Sequence, residues 1–212
     1  METNRTHPQS LEHLVDDVRL AENSVARLAG LVESLLQLSS IEAAAPAYST
    51  VAELTDEVRD AIGRAEFQGH PILIRSVEGT ASADPTTVLR VRSEDFGRVV
   101  DNLLNNAIRA MDDDGEVIVI LHARSEVLTL SIADNGPGMP AEFVDRAFDR
   151  FSQGDTARTS GSGAGLGLPI AAAIVNRAHG RITLHNSPGH GLRVVVELPI
   201  SQPNNPESVA LN

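Results

Sequence analysis

The chain has 212 residues, no cysteine and a formal charge of −12. That length supports one sizeable core with an appendage, and the missing thiols exclude disulfides, zinc–thiolate sites and thiol catalysis. So acidic a balance argues against non-specific binding to nucleic acid or anionic membrane, since both need a basic face.

Residues 11–42 read as one long helix. Leu14, Val18, Ala21, Val25, Leu28 and Val32 step by alternating three and four, a heptad seam that wants a partner helix. Pro46 in "EAAAPAYST" ends it. An α/β region follows. "VAELTDEVRDAIGRAEF" (51–67) predicts an amphipathic helix, and "ILIRSV" (72–77) and "VLRVR" (88–92) predict short strands. "SEDFGRVVDNLLNNAIRAM" (93–111) predicts a helix with Ser93 as N-cap. "EVIVILHAR" and "VLTLSIAD" (116–134) predict a hairpin through "SE". A glycine- and serine-rich loop spans 150–165, then a helix over 166–179 and the strands "RITLHN" and "GLRVVVELP". The polar tail "SQPNNPESVALN" is expected to be disordered. Most strand links are hairpins. The expectation is therefore α+β: a mixed, mainly antiparallel sheet with helices on one face, preceded by one long helix. No apolar run approaches the roughly 18 residues of a membrane span, and no signal pattern is present, so a cytosolic location is expected.

Four stretches carry candidate chemistry. "GSGAGLGL" (161–168) has glycines at alternate positions and opens onto a helix, a geometry that suits an anion. Every basic residue in the Lys+Arg count of 17 is arginine, so this is no Walker loop, which needs its lysine. The glycine parity forbids a dinucleotide fingerprint, and the polar "SQGDTARTS" before it is not the strand a methyltransferase loop follows. A plain flexible linker remains the simpler alternative. "DNGPG" (134–138) is ordinary turn chemistry. Equally, a carboxylate at a strand end accepts from an exocyclic amine such as adenine N6, with Gly136 and Gly138 letting backbone lie against a flat base.

"NLLNNA" (102–107) places three asparagines within one helix, where asparagine is a poor former. Asn102 and Asn106 stand four apart and share a face, while Leu103, Leu104 and Ala107 face a core. Caps or surface decoration are the plain reading. A neutral oxygen ligand for Mg²⁺ is the functional one, with Arg109 in reach of a phosphate oxygen. "FDRF" (148–151) reads first as core aromatics, though five phenylalanines and one tyrosine are all the chain has; Phe148 and Phe151 would also suit the hinge of the loop that follows.

Taken in order, NLLNNA, DNGPG, FDRF and GSGAGLGL resemble the N, G1, F and G2 boxes of the catalytic ATP-binding domain of bacterial sensor histidine kinases, over residues 50–200. The resemblance implies the Bergerat ATP-binding fold of the wider superfamily. It implies a catalytic domain at 47–200, a partial dimerisation helix at 1–46 (the second helix of the phosphotransfer bundle) and a tail at 201–212. It implies that Asp134 reads adenine, that Asn106 holds Mg²⁺, and that Asn102 and Arg109 lie near the phosphates of ATP. Gly136, Gly138, Phe151, Gly163, Gly165, Leu166, Gly167 and Leu168 would complete the ATP site, with 149–162 as its lid. The reaction implied is in-line transfer of the γ-phosphoryl group to a histidine on a helical bundle. Gyrase-like relatives carry a water-activating glutamate where this chain has Asn102, which is no base at neutral pH; slow intrinsic ATPase is therefore expected. The partners implied are ATP, that bundle (its own missing segment or another chain), a response regulator and a second copy, with no nucleic acid. The location implied is the cytoplasm, or the cytoplasmic portion of an inner-membrane sensor.

Two departures stand out. The acceptor histidine of the family is missing: His7 precedes Pro8, and His13 is expected on a solvated helix face. The chain is thus expected to be a piece of a larger kinase, or a split kinase acting on a partner's histidine. Gln153 also stands where many members have a lid arginine, with Arg150 and Arg158 as substitutes. The alternatives are an anti-sigma-factor type serine kinase and a non-catalytic nucleotide-binding module.

Overall fold

The computed structural model describes residues 45–68, 73–74, 86–111, 115–124, 126–149 and 165–201, with individual helical positions between 17 and 39. Phe151, Gly163, Gln153, most of the expected lid and the tail beyond 201 lie outside the described residues. Along the N-terminal helix Val18, Val25, Leu28, Val32 and Leu36 are all more than half exposed.

The strands are β1 (Ser49–Thr50), β2 (Leu73–Ile74), β3 (Val88–Leu89), β4 (Glu116–Arg124), β5 (Val127–Asp134), β6 (Arg181–Ser187) and β7 (Gly191–Ser201). They form one sheet in the order β1-β3-β7-β5-β4-β2, with β6 on the edge of β7 that β3 also uses. Among the described strands only the β2–β4 pair is parallel; β1–β3, β3–β7, β4–β5, β5–β7 and β6–β7 are antiparallel. The mainly antiparallel sheet expected from the hairpin pattern is thus observed. β3 is shorter than expected, and β2 is described at Leu73–Ile74 within the expected strand. After Leu89 the chain turns, with Val91 N–H donating to the Leu89 carbonyl at 2.9 Å, and a helix starts at Ser93.

The helices are α1 (Val51–Phe67), α2 (Ser93–Arg109), the short α3 (Ala141–Val144) and α4 (Gly167–Arg177). α1 starts with a capping box: Glu53 N–H donates to Thr50 Oγ1, and Thr50 N–H donates to Glu53 Oε2. α2 corrects one expectation. Ser93 is its first helical residue rather than its cap; Arg92 takes the cap position with no side-chain bond. Glu94 and Asp95 in the first turn supply the negative charge instead.

The core lies between the sheet and α1, α2 and α4. Val117, Val119 and Leu121 of β4 and Leu128, Leu130 and Ile132 of β5 alternate inward, as strands buried on one face do. Phe96, Val99, Val100, Leu103, Leu104 and Ala107 of α2 meet them. The alternation carries through to Asp134, which occupies the next inward position after Ile132.

Candidate functional site

Asp134 ends β5 on the core side with 8% of its surface exposed. A carboxylate there cannot stay ionised without donors. Two backbone amides supply them: Gly136 N–H donates to Oδ1 at 3.0 Å and Leu192 N–H at 3.2 Å. Burial pushes the carboxyl above its ordinary value, and the amides of Gly136 and Leu192 oppose the shift. Both of those bonds land on Oδ1, so Oδ2 is the atom available to a further donor.

Asn135 does structural work beside it. Its Oδ1 accepts from Glu116 N–H at 2.8 Å and its own N–H donates to the Glu116 carbonyl at 3.2 Å, prolonging the β4–β5 ladder. Gly136 lies on the end of α2: a Cβ there would sit 2.8 Å from the Ala110 carbonyl oxygen. Gly138 has φ +73°, a left-handed conformation in which glycine carries no steric penalty. Gly191 has φ +105° and faces the Asp134 carbonyl so closely that no side chain fits.

The asparagine helix arrives from the other side. Leu103, Leu104 and Ala107 are buried, and Asn102 and Asn106 share the half-buried face. Asn102 Nδ2 donates to the Arg98 carbonyl at 2.9 Å, and its Oδ1 is 3.2 Å from where a Cβ of Gly167 would stand. α2 therefore touches both the Asp134 loop, through Ala110, and the start of α4, through Asn102. Arg109 is exposed in the last turn of α2.

Gly165 has φ +67° and precedes α4, whose cap residue Leu166 makes no side-chain cap. Leu166 and Leu168 are buried in the core and anchor the helix start. The first backbone N–H groups of α4 are left without intrahelical partners, the arrangement that attracts anions.

The Asp134 loop, the asparagine face of α2 and the uncapped start of α4 thus converge. A Cβ at Gly136 would meet the Ala110 carbonyl oxygen and one at Gly138 the oxygens of Asn186 and Ser187, so both glycines let neighbouring backbone close in beside Asp134. For a cation, the described residues hold no group of three or more His, Cys, Asp or Glu. The Asn106 side chain has no hydrogen-bond partner among the described residues. That donor set fits Mg²⁺ arriving with phosphate oxygens, not a protein cage.

Sequence reading missed the opposite wall. Asn186 of β6 accepts from Met139 N–H at 2.8 Å and donates to the Met139 carbonyl at 2.7 Å. Gly189 N–H donates to the Pro137 carbonyl at 2.7 Å. The positive φ of Gly191 could be suspected from "GHG"; nothing local marks Asn186.

The family described as histidine kinase-, DNA gyrase B- and HSP90-like ATPase matches residues 92–202. A probable sensor histidine kinase HK of Mycobacterium tuberculosis is 32% identical over 197 residues, covering 92% of this chain and 50% of that protein. The chain therefore spans about half the length of that relative. Sensor histidine kinase component HK1 of the same species is 36% identical over 124 residues, 58% of this chain and 72% of that protein. Among solved structures, the mycobacterial sensor histidine kinase MprB superposes with a TM-score of 0.59 at 24% identity, covering 74% of this chain and 98% of that one. Full-length ShkA in complex with AMPPNP gives 0.63 at 25% identity, covering 96% and 41%. The sheet, the helices on one face and these likenesses identify the Bergerat fold, and the chain belongs to the histidine kinase-, DNA gyrase B- and HSP90-like ATPase family.

Proposed function

We propose that this chain is the ATP-binding catalytic part of a sensor histidine kinase, which passes the γ-phosphoryl group of Mg·ATP to a histidine on a helical bundle. The observation that carries the reading is Asp134. A carboxylate buried at a strand end, with one oxygen saturated by backbone amides and the other open, is built to accept from an adenine amino group. Gly136 and Gly138 allow the base to lie against backbone. The stretch from Gly163 through Leu168, with the uncapped start of α4, sets backbone amides against the phosphate oxygens; Phe151 belongs to the lid over 149–162. Asn106 would hold Mg²⁺ arriving with the nucleotide, and the ion would supply neutralisation of the charge that transfer develops. Asn102 and Arg109 hold phosphates in line, and Asn102 offers no base to activate water.

In this reading residues 47–200 form the catalytic domain. The heptad seam of residues 1–46, exposed at Val18, Val25, Leu28, Val32 and Leu36, pairs with a second copy or with the helix that carries the acceptor histidine. A response regulator then takes the phosphoryl group. No helix among the described residues is long and apolar enough to cross a membrane, and the proposed site of action is the cytoplasm. The relatives named sensor histidine kinases favour this reading over a serine kinase.

The test is incubation with γ-labelled ATP and Mg²⁺, with and without a histidine-bearing bundle from a candidate partner. Acid-labile label on the bundle, lost on replacing its histidine, is the expected result. ATP binding without labelled bundle under any pairing leaves a nucleotide-binding module; fast hydrolysis by the chain alone contradicts the role given to Asn102.

A further inference from the structure

We propose that Asn186 is a positioning residue of the nucleotide site, holding the Asp134 loop in its receptive shape through the backbone of Met139. The proposal rests on reading that loop as the one that recognises adenine. Asn186 is 47 residues from Met139 in sequence. Its Oδ1 accepts from Met139 N–H at 2.8 Å, and its Nδ2 donates to the Met139 carbonyl at 2.7 Å. One planar amide thus exchanges both bonds with one residue's backbone, as a neighbouring strand would. Among side chains only an amide presents an acceptor and donors in this fork.

The rest of the β6–β7 turn closes on the same loop. Gly189 N–H donates to the Pro137 carbonyl at 2.7 Å, and Leu192 N–H donates to Asp134 Oδ1 at 3.2 Å. A Cβ on Gly138 would lie 2.9 Å from Asn186 Oδ1 and 3.0 Å from the Ser187 carbonyl oxygen, so the amide in this position requires glycine at 138. Residues 137–140 belong to no helix or strand; their shape is set from outside. The turn therefore fixes the loop at Asp134, Pro137 and Met139, and the Met139 grip is the one made by a side chain. Removing it frees the segment between Gly136 and α3, and with it the orientation of the Gly136 amide on Asp134 Oδ1. Asn186 acts through the loop and not by touching the base.

The prediction is a loss of base recognition in a folded protein. Calorimetric titration of the full chain with Mg·ATP and with Mg·GTP, alongside thermal melts, reads it directly. Asn186→Ala should weaken ATP about tenfold, the scale of two neutral hydrogen bonds, and narrow the preference for ATP over GTP. In an Asp134→Asn background the same change should cost less than about twofold, because coupled residues are not additive. Asn186→Asp keeps the acceptor and loses the donor; it should fall between, and it serves if the alanine variant does not fold. Full ATP affinity in a folded Asn186→Ala or Asn186→Asp overturns the proposal. So does an equal loss for ATP and GTP, or an equal loss in both Asp134 backgrounds, since a merely structural residue gives that. If the wild-type chain binds no ATP, the reading of the site fails with it. If the wild type binds and Asp134→Asn weakens it while Asn186 variants do not, only the role of Asn186 falls.

Discussion

Two buried aspartates show opposite uses of a carboxylate. Asp95 in the first turn of α2 is 6% exposed, and Asp134 at the end of β5 is 8% exposed. Asp95 meets two guanidinium groups: Arg98 Nη1 at 3.1 Å on Oδ1 and Arg177 Nη2 at 2.9 Å on Oδ2. Arg177 comes from α4, so this cluster pins α4 to α2. Asp134 has no ion pair among the described residues; backbone dipoles alone hold it, and burial raises its pKa. A buried charge that the fold neutralises is part of the scaffold. One left under-compensated at a strand end is a candidate for ligand recognition.

The comparison breaks most visibly at Asp95. Asp95→Ala removes the carboxylate shared by Arg98 and the 23%-exposed Arg177 and should cost about 3 kcal/mol, the scale for breaking a buried pair. In a chain of this size that lowers Tm by about 9 °C. The folded fraction should bind ATP as the wild type does. An affinity loss matching that of an Asp134 variant would erase the distinction between the two sites. Asp134→Asn is the converse. It should weaken ATP by about 2 kcal/mol, or about thirtyfold, the value of a hydrogen bond to a charged group. Its melting temperature should not fall.

The pH dependence sharpens the same contrast at smaller amplitude. The folded pKa of Asp134 is raised above 3.8 by burial, so the unfolded chain releases this proton at lower pH than the folded one. Between those two values the folded state holds the extra proton, and stability falls as pH rises. Above the folded value the penalty is complete and constant. Asp134→Asn removes it. The variant should therefore be more stable than wild type at pH 7.5, and its advantage should disappear near pH 3.5. Paired melts at the two pH values measure this, and an unchanged difference would show that Asp134 carries no desolvation penalty.

Much of this contrast was legible in the sequence. Alternation along "VLTLSIAD" makes Asp134 an inward position, and the spacing of Asn102, Leu103 and Ala107 separates a polar face from a core face. The helix over 51–67 and the hairpin at 116–134 follow from period alone. What escaped is non-local or marginal. Asn186 matters through Met139, and no pattern within β6 marks that contact. The N-cap failed at Ser93 because the chain turned one residue earlier, at Arg92. Both short strands were legible, but β3 stops at Leu89 rather than at Arg92 because the chain turns toward α2. The likeness to histidine kinases came from the order of four motifs, each ambiguous alone.

A third aspartate completes the series and gives the smallest effect. Asp101 of α2 takes Arg64 Nη2 of α1 on both oxygens at 3.0 Å, but the two side chains are 41% and 49% exposed. Water solvates each charge well without the other, so pairing gains little and the ordering of a long arginine offsets part of it. A double-mutant cycle of Arg64→Ala and Asp101→Ala should give a coupling of about 0.5 kcal/mol. The coupling should shrink further in 1 M salt, where screening reaches about 3 Å. A coupling as large as the cost of Asp95→Ala would mean that geometry, not burial, governs how this fold uses its carboxylates. A small one leaves burial as the variable that separates the solvated Asp101 pair from the pinned Asp95, whereas Asp95 and Asp134, equally buried, differ in whether guanidinium groups or backbone amides compensate the charge.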